Sequence, residues 1–263
     1  MIGITGYKGV LGSIICEKLK ERNEKFSVFE DDIRDSDLLY NWINSNNIDT
    51  IIHLASKVAV ADVQNNLDDA YDVNVNGTIS LIKSIKKLNR SIYLFFASSS
   101  HVYASNENLI KETDCIYPQN SYGLTKYISE LLLQDFCKSH IFLELCIGRI
   151  FSFYHETQKP PFLYPTLKKR FETEDLNAPF VLHGANSTRD FLPAEEVCSI
   201  IIKIIDKKAK GIINIASGTP KKIIDFVKEI APIDLNYQVN LQENINHLNA
   251  DITFLKSILH DEL

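Results

Sequence analysis

Short apolar runs alternate with helix-length amphipathic stretches through the first half of this chain. Residues 2–5, 26–29, 50–54, 92–97, 142–147 and 212–215 read as strands. Residues 10–20, 35–44, 68–88, 122–137 and 194–205 read as helices. Strands that are apolar throughout and separated by helix-length segments are the mark of βαβ units on a parallel sheet covered on both faces. The expected class is therefore α/β, with a Rossmann-type doubly wound parallel sheet. After Arg149 the texture changes: Pro160, Pro161, Pro165 and Pro179 interrupt a stretch of mixed aromatics across 151–191. That stretch suits a loop-rich cap on the carboxyl edge of the sheet. Residues 194–216 read as a return to the sheet, and 217–263 as more cap.

Composition narrows the classes. At 263 residues, 45% hydrophobic and 24% charged, the chain is long enough to bury a real core. A net charge of −6 argues against nucleic-acid and anionic membrane partners, though it leaves room for a locally basic site. Cys16, Cys115, Cys137, Cys146 and Cys198 are scattered, without a Cys-x-x-Cys pair, as expected of reduced thiols. No apolar run approaches the ~20 residues of a membrane span. With a strand expected at 2–5, no signal peptide is expected, and a cytoplasmic location follows as the expectation.

Candidate chemistry begins at Thr5-Gly6-Tyr7-Lys8-Gly9-Val10-Leu11-Gly12, between a strand and a helix. There Gly6 permits a tight turn, Gly9 lets backbone approach a pyrophosphate, and Gly12 lets the helix pack on the strand. An acidic residue about 20 positions on binds an adenosine ribose in such sites, and Glu30, Asp31 and Asp32 stand there. They favour NAD(H) over NADP(H), whereas Arg34 pulls toward NADP(H). A second signal is split between Ser98-Ser99-Ser100-His101-Val102-Tyr103 and Ser121-Tyr122-Gly123-Leu124-Thr125-Lys126. Tyr122 and Lys126 are four apart, on one helix face. An ammonium beside a phenol is expected to lower the phenol's pKa of ~10 toward neutrality, making a general acid/base. A serine at the end of the preceding strand completes a site for redox chemistry on a carbinol or ketone. The domain reading becomes a dinucleotide-binding unit of 1–150 plus 192–216, with a small interleaved C-terminal substrate-binding lobe of 151–191 plus 217–263.

Assembled in order, these residues resemble the extended short-chain dehydrogenases/reductases, in the NAD-dependent epimerase/dehydratase group that acts on nucleotide sugars. The likeness runs through TGYKGVLG, Asp32-Ile33-Arg34-Asp35, His53-Leu54-Ala55-Ser56, Asn74-Val75-Asn76-Gly77-Thr78, the Ser-rich strand end and the Tyr122/Lys126 pair. It continues through Arg149-Ile150-Phe151-Ser152, Thr188-Arg189-Asp190-Phe191-Leu192 and Asn214-Ile215-Ala216-Ser217-Gly218. The resemblance implies that Ser99 polarises the sugar oxygen, Tyr122 is the general acid/base, and Lys126 holds the nicotinamide ribose while tuning the tyrosine. It implies a cofactor site of Gly6, Gly9, Val10, Leu11, Gly12, Glu30, Asp32, Ile33, Leu54, Ala55, Ser56, Asn74, Tyr122, Lys126 and Ile150. Substrate falls to Ser99, Ser152 and Arg189. Ser152 replaces the family's usual asparagine, and Arg189 matches an arginine gripping the nucleotide diphosphate. A surface ion pair with Asp190 or Glu195 is the alternative for Arg189.

Departures from the family pattern narrow the reaction. The group's dehydratases carry Asp-Glu after the catalytic Ser or Thr, where this chain has Ser100-His101, so dehydration is not expected. The leading expectation is an NAD(P)-dependent reductase of a 4-keto deoxyhexose on a nucleoside diphosphate. The alternatives are a nucleotide-sugar 4-epimerase with tightly bound NAD and a non-catalytic dinucleotide sensor. No metal site is expected. By resemblance a homodimer is expected, formed through the helices at 68–88 and 122–137, with Leu131, Leu132, Leu133 and Phe136 offering apolar surface.

Overall fold

A computed structural model describes residues 1–239 and 245–260. Along the chain run β1 (Ile2–Thr5), α1 (Val10–Glu21), β2 (Phe26–Val28), α2 (Ser36–Ser45), β3 (Thr50–His53), α3 (Val60–Asn65), α4 (Leu67–Tyr71), α5 (Gly77–Lys86) and β4 (Ile92–Ser99). Next come β5 (Asn106–Ile110), α6 (Ser121–Ser139), β6 (Leu143–Ile150), β7 (Ser152–Tyr154), α7 (Leu163–Thr173), β8 (Phe180–Leu182), β9 (Thr188–Arg189), β10 (Phe191–Pro193) and α8 (Ala194–Asp206). The remainder is β11 (Gly211–Ile215), β12 (Lys221–Lys222), α9 (Ile223–Ile230), β13 (Tyr237–Val239), β14 (His247–Ala250) and α10 (Thr253–Leu259).

The main sheet has six strands in the order β11-β6-β4-β3-β1-β2, all paired in parallel. Its strands are apolar because both faces are covered. Ile14, Ile15 and Leu19 of α1, Val197 and Ile201 of α8, and Leu255 and Leu259 of α10 pack in one core. Leu39 and Ile43 of α2, Leu81 and Ile85 of α5, and Leu133 of α6 pack in the other. This is the doubly wound arrangement expected from the sequence. Strand order reverses between β1 and β3, opening a crevice at their carboxyl ends.

The helix expected at 68–88 is interrupted. Asp72–Asn76 is a π-helical stretch between α4 and α5, and it carries the buried Asn74. Such wide turns re-aim one side chain within a helix. The segment 151–191, expected to be loop-rich, also holds α7, with Pro165 within its first turn where a missing N–H costs nothing.

Leu167, Phe180, Leu182, Ile223, Val227 and Leu235 form a separate apolar cluster drawn from the two segments assigned to the lobe. Leu248, Ala250, Ile252, Leu255 and Leu259 instead pack in the core of the main sheet. The span 217–263 therefore divides between two cores, and its residues 240–244 and 261–263 lie outside the described residues. β14 enters a four-stranded sheet in the order β12-β9-β14-β5.

Of the apolar surface expected on α6, Leu133 is wholly buried, and Phe136 is half-buried with its ring stacked on His140 at 4.7 Å. Leu131 is the exposed one of the four. No helix among the described residues is long and apolar enough to cross a membrane.

Candidate active site

A cavity of about 910 Å3 opens at the carboxyl edge of the sheet, a size that suits small-molecule ligands. Its floor is the turn between β1 and α1. Gly6 takes φ +73, and a Cβ there would lie 2.6 Å from the Ala55 nitrogen. Gly12 sits so close beneath that a Cβ would reach the Gly6 carbonyl oxygen at 2.3 Å. Gly9 caps α1 without a side-chain hydrogen bond, so the first-turn N–H groups of the helix meet the cavity unopposed. Unopposed helix N–H groups, with no side chain in the way, fit a dinucleotide pyrophosphate. The facing wall is Leu54, Ala55 and Ser56, held by the Ala55 N–H donating to Thr5 Oγ1 at 3.3 Å.

The catalytic candidates reach the same cavity from two neighbouring elements. Ser99 ends β4, paired in register with Ile150 of β6. α6 starts at Ser121 and is capped by Asn120, whose side-chain oxygen accepts from the Gly123 N–H at 2.9 Å. The cap places Tyr122 in the first turn and Lys126 one turn on. Asn120 also meets His101 Nδ1 at 2.8 Å, tying the cap to the residue two beyond Ser99. Ser99 and Tyr122 both line the cavity, and the Ser99 hydroxyl favours the Tyr122 phenolate. The Lys126 Nζ stands 4.9 Å from the Phe96 ring centre.

The electrostatics correct one expectation. Burial pushes the Tyr122 phenol up to about 12, only partly opposed by its bond to Ser99. Burial also pulls Lys126 down to about 7, with the Glu130 carboxylate opposing. Both groups lie in an apolar wall that penalises either charge, and on Tyr122 burial outweighs any pull of Lys126 toward neutrality. His101 is drawn down to about 4 by burial and by the positive Arg189, so it is neutral at ordinary pH.

The cavity gathers Gly6, Gly9, Val10, Leu11, Gly12, Leu54, Ala55, Ser56, Ser99, Tyr122, Lys126, Ile150, Ser152 and Arg189. Four expected residues stand off its lining. Glu30 accepts from the Tyr7 hydroxyl at 3.2 Å. Asp32 grips Arg34, whose Nε donates at 2.8 Å, and this holds the Asp32 carboxyl down at about 2. Ile33 is buried, in contact with the position of Gly77. Asn74 spends its side chain on protein: it accepts from Ser56 Oγ at 2.9 Å and Lys57 N at 2.7 Å, and donates to Thr125 Oγ1 at 2.9 Å. It therefore braces the Leu54–Ser56 wall against α6.

Arg189 makes neither of the surface ion pairs considered for it. Asp190 accepts from the Ser217 and Gly218 N–H groups, and Glu195 pairs with His155. Arg189 Nη1 instead donates to the Thr188 and Asn246 carbonyls at 2.8 and 2.7 Å, and burial lowers its pKa to about 10.

Sequence reading missed the far wall of the cavity, where Tyr154, Tyr164, Phe191 and Phe226 gather. Phe191 and Phe226 stack at 4.0 Å. It also missed the cavity's charge: Lys8, Lys126, Lys159 and Arg189 line it, and among the described lining residues there is no Asp or Glu. The recurrence of basic residues near these motifs was the available signal. No His, Cys, Asp and Glu cluster fit to hold a metal occurs among the described residues.

A family model described as GDP-mannose 4,6 dehydratase matches residues 7–253. The UDP-glucose 4-epimerase of Mycoplasma genitalium is 28% identical over 240 residues, 75% of this chain and 69% of its own length. The GDP-6-deoxy-D-talose 4-dehydrogenase of Aggregatibacter actinomycetemcomitans is 27% identical over 250 residues, covering 92% and 82% respectively. The crystal structure of the Thermus thermophilus UDP-glucose 4-epimerase in complex with NAD superposes with a TM-score of 0.83 at 19% identity. It covers 97% of this chain and 92% of that one.

Proposed function

The chain belongs to the family that the GDP-mannose 4,6 dehydratase model describes, within the extended short-chain dehydrogenases/reductases, and on that premise we propose that it is a nicotinamide-dependent enzyme of nucleotide-sugar modification. Its reaction, in this reading, is reduction of a 4-keto deoxyhexose carried on a nucleoside diphosphate. The observation that carries the reading is the convergence of Ser99, Tyr122 and Lys126 in a cationic cavity free of carboxylates among its described lining residues. Elimination of water from a sugar needs an acid or base at the leaving hydroxyl, and Ser100 and His101 stand where a carboxylate would serve. The absence argues for simple redox chemistry at a carbon bearing oxygen, despite the name of the family model. The 6-deoxy-talose 4-dehydrogenase supports the position, since reduction of a 4-keto sugar is the reverse of oxidation at C4.

The cofactor is proposed to lie along Gly6–Gly12 and Leu54–Ser56, with its pyrophosphate on the α1 N-terminus. When bound, a nicotinamide dinucleotide supplies the hydride. Ser99 donates a hydrogen bond to the keto oxygen. Tyr122 donates the proton to that oxygen as negative charge develops, and a phenol that stays protonated at neutral pH is the form this direction requires. Lys126, when charged, stabilises the resulting phenolate. Arg189, steadied by two backbone carbonyls and lining the cavity, is proposed to receive the sugar diphosphate. The pairing of Arg34 with Asp32 and Asp72 supports NAD(H), because it engages the cation that pulled toward NADP(H).

The similarity to a UDP-glucose 4-epimerase favours a second reading, in which the same three residues act twice. Purification separates the two. Stoichiometric NAD that survives gel filtration supports the epimerase. A protein that binds reduced cofactor reversibly and consumes it with 4-keto nucleotide sugars supports the reductase. A homodimer through α5 and α6 belongs to the same proposal.

A further inference from the structure

Glu130 takes no part in the proton transfer assigned above, yet it is fully buried at 0% exposure. Its carboxylate accepts from Arg149 Nε at 3.1 Å and Nη2 at 2.7 Å, and from the Ser98 hydroxyl. Arg149, also buried, donates through Nη1 to the Glu112 carbonyl at 3.1 Å, and its guanidinium lies 4.7 Å from the Tyr103 ring centre. The Tyr103 hydroxyl donates to Asn214 Oδ1 at 2.7 Å. One buried polar chain thus links α6 to β4, β6 and β11. An ion pair so placed is weak evidence for stability, because well-packed apolar residues often do as well.

Its position suggests another use. Tyr122, Lys126 and Glu130 are on one face of α6 in successive turns. Ser98 precedes Ser99, and Ser98 and Arg149 are partners in the β4–β6 register. We propose that Glu130 is a positioning residue for Lys126: it locks α6 against the strand end that carries Ser99, and it sets a negative charge one turn behind the Lys126 ammonium. The inference rests on reading Tyr122 and Lys126 as the acid/base pair. The downward pull of burial on Lys126, opposed by Glu130, accords with it.

His53 of β3 is neutral, drawn to about 3 by burial and by Lys126 itself. β4 offers the Phe96 ring and neutral serines, β6 offers Arg149 behind Glu130, and α6 offers Tyr122 and Glu130. α3, α4 and the π-helical stretch also pack on α6 and carry Asp62, Asp68, Asp69 and Asp72, with Asp69 paired to Lys57 and Asp72 to Arg34; Glu130 is the anion that acts on Lys126.

The test follows Lys126 directly, without any substrate. In the full chain labelled with 13Cε-lysine, the Lys126 resonance is the one absent from Lys126→Arg, and its shift is titrated against pH. Glu130→Gln is expected to lower the midpoint by about one pH unit or more, the scale of a Coulomb interaction across one helical turn at an effective dielectric of ~20. Glu130→Gln with Arg149→Gln removes the opposing cation too, keeps amides able to pair, and lowers the midpoint by less; it serves if the single variant does not fold. Glu130→Asp keeps the charge and holds the midpoint near that of the native protein. Identical midpoints in native protein and folded Gln variants would overturn the proposal, while leaving the proton-transfer reading to its own test at Tyr122.

Discussion

The two walls of the cavity are built on different principles. The wall that carries Ser99, Tyr122 and the glycine turn stands on β1, β3, β4 and α6, whose positions follow from register in one parallel sheet. The opposite wall gathers Tyr154, Tyr164, Phe191 and Phe226 from β7, α7, β10 and α9, and packs by aromatic contact over a small separate core. Under the proposed function, the sheet-built wall carries the proton transfer and the aromatic wall holds the substrate. A substitution in the first should therefore act on turnover, and one in the second on affinity.

The sharpest way to break that division is Tyr122→Phe. Turnover is expected to fall by roughly 10²–10⁴-fold, as for loss of a general acid/base, with dinucleotide binding largely kept. Turnover within a fewfold of the native enzyme, measured by consumption of reduced cofactor, would show that the acid is another group. Arg189→Ala should do the converse, raising KM for the nucleotide sugar about 10- to 100-fold through loss of a charge-assisted contact, while kcat at saturation changes less. Equal loss in kcat with unchanged KM would contradict the clamp.

The smallest effect concerns pH. His101 and His53 have folded pKa values of about 4 and about 3, below the ~6.5 of an unfolded chain. Between those values the unfolded chain binds more protons, so stability present above pH ~6.5 is lost as pH falls toward 4. His101→Gln is expected to flatten the dependence of Tm on pH in that window, with His53 still contributing. An unchanged slope would mean that His101 is charged in the folded protein.

How much of this was legible follows the same division. Runs such as residues 92–97 announce a buried parallel strand because burial on both faces demands apolar residues at every position. The Tyr122–Lys126 spacing announces a shared face because a helix turns in 3.6 residues. The π-helical stretch at Asp72–Asn76 has no local signature, so the way Asn74 supports the site, through Ser56, Lys57 and Thr125, was not legible. Pairing of β14 with β5 joins Leu248 to Asn106, a contact no local pattern encodes. Glu130 was not among the candidate residues, although a carboxylate two turns from Tyr122 on one face and Arg149 inside an apolar strand were the available signal.

The central claim is tested most directly by deuterium transfer from 4,4-dideuterated reduced cofactor to a 4-keto-6-deoxy nucleotide sugar. The account predicts one deuterium at C4 of the product for each cofactor oxidised, and its loss in Tyr122→Phe. Interconversion of C4 epimers with no net cofactor oxidation and no deuterium in the product would contradict it.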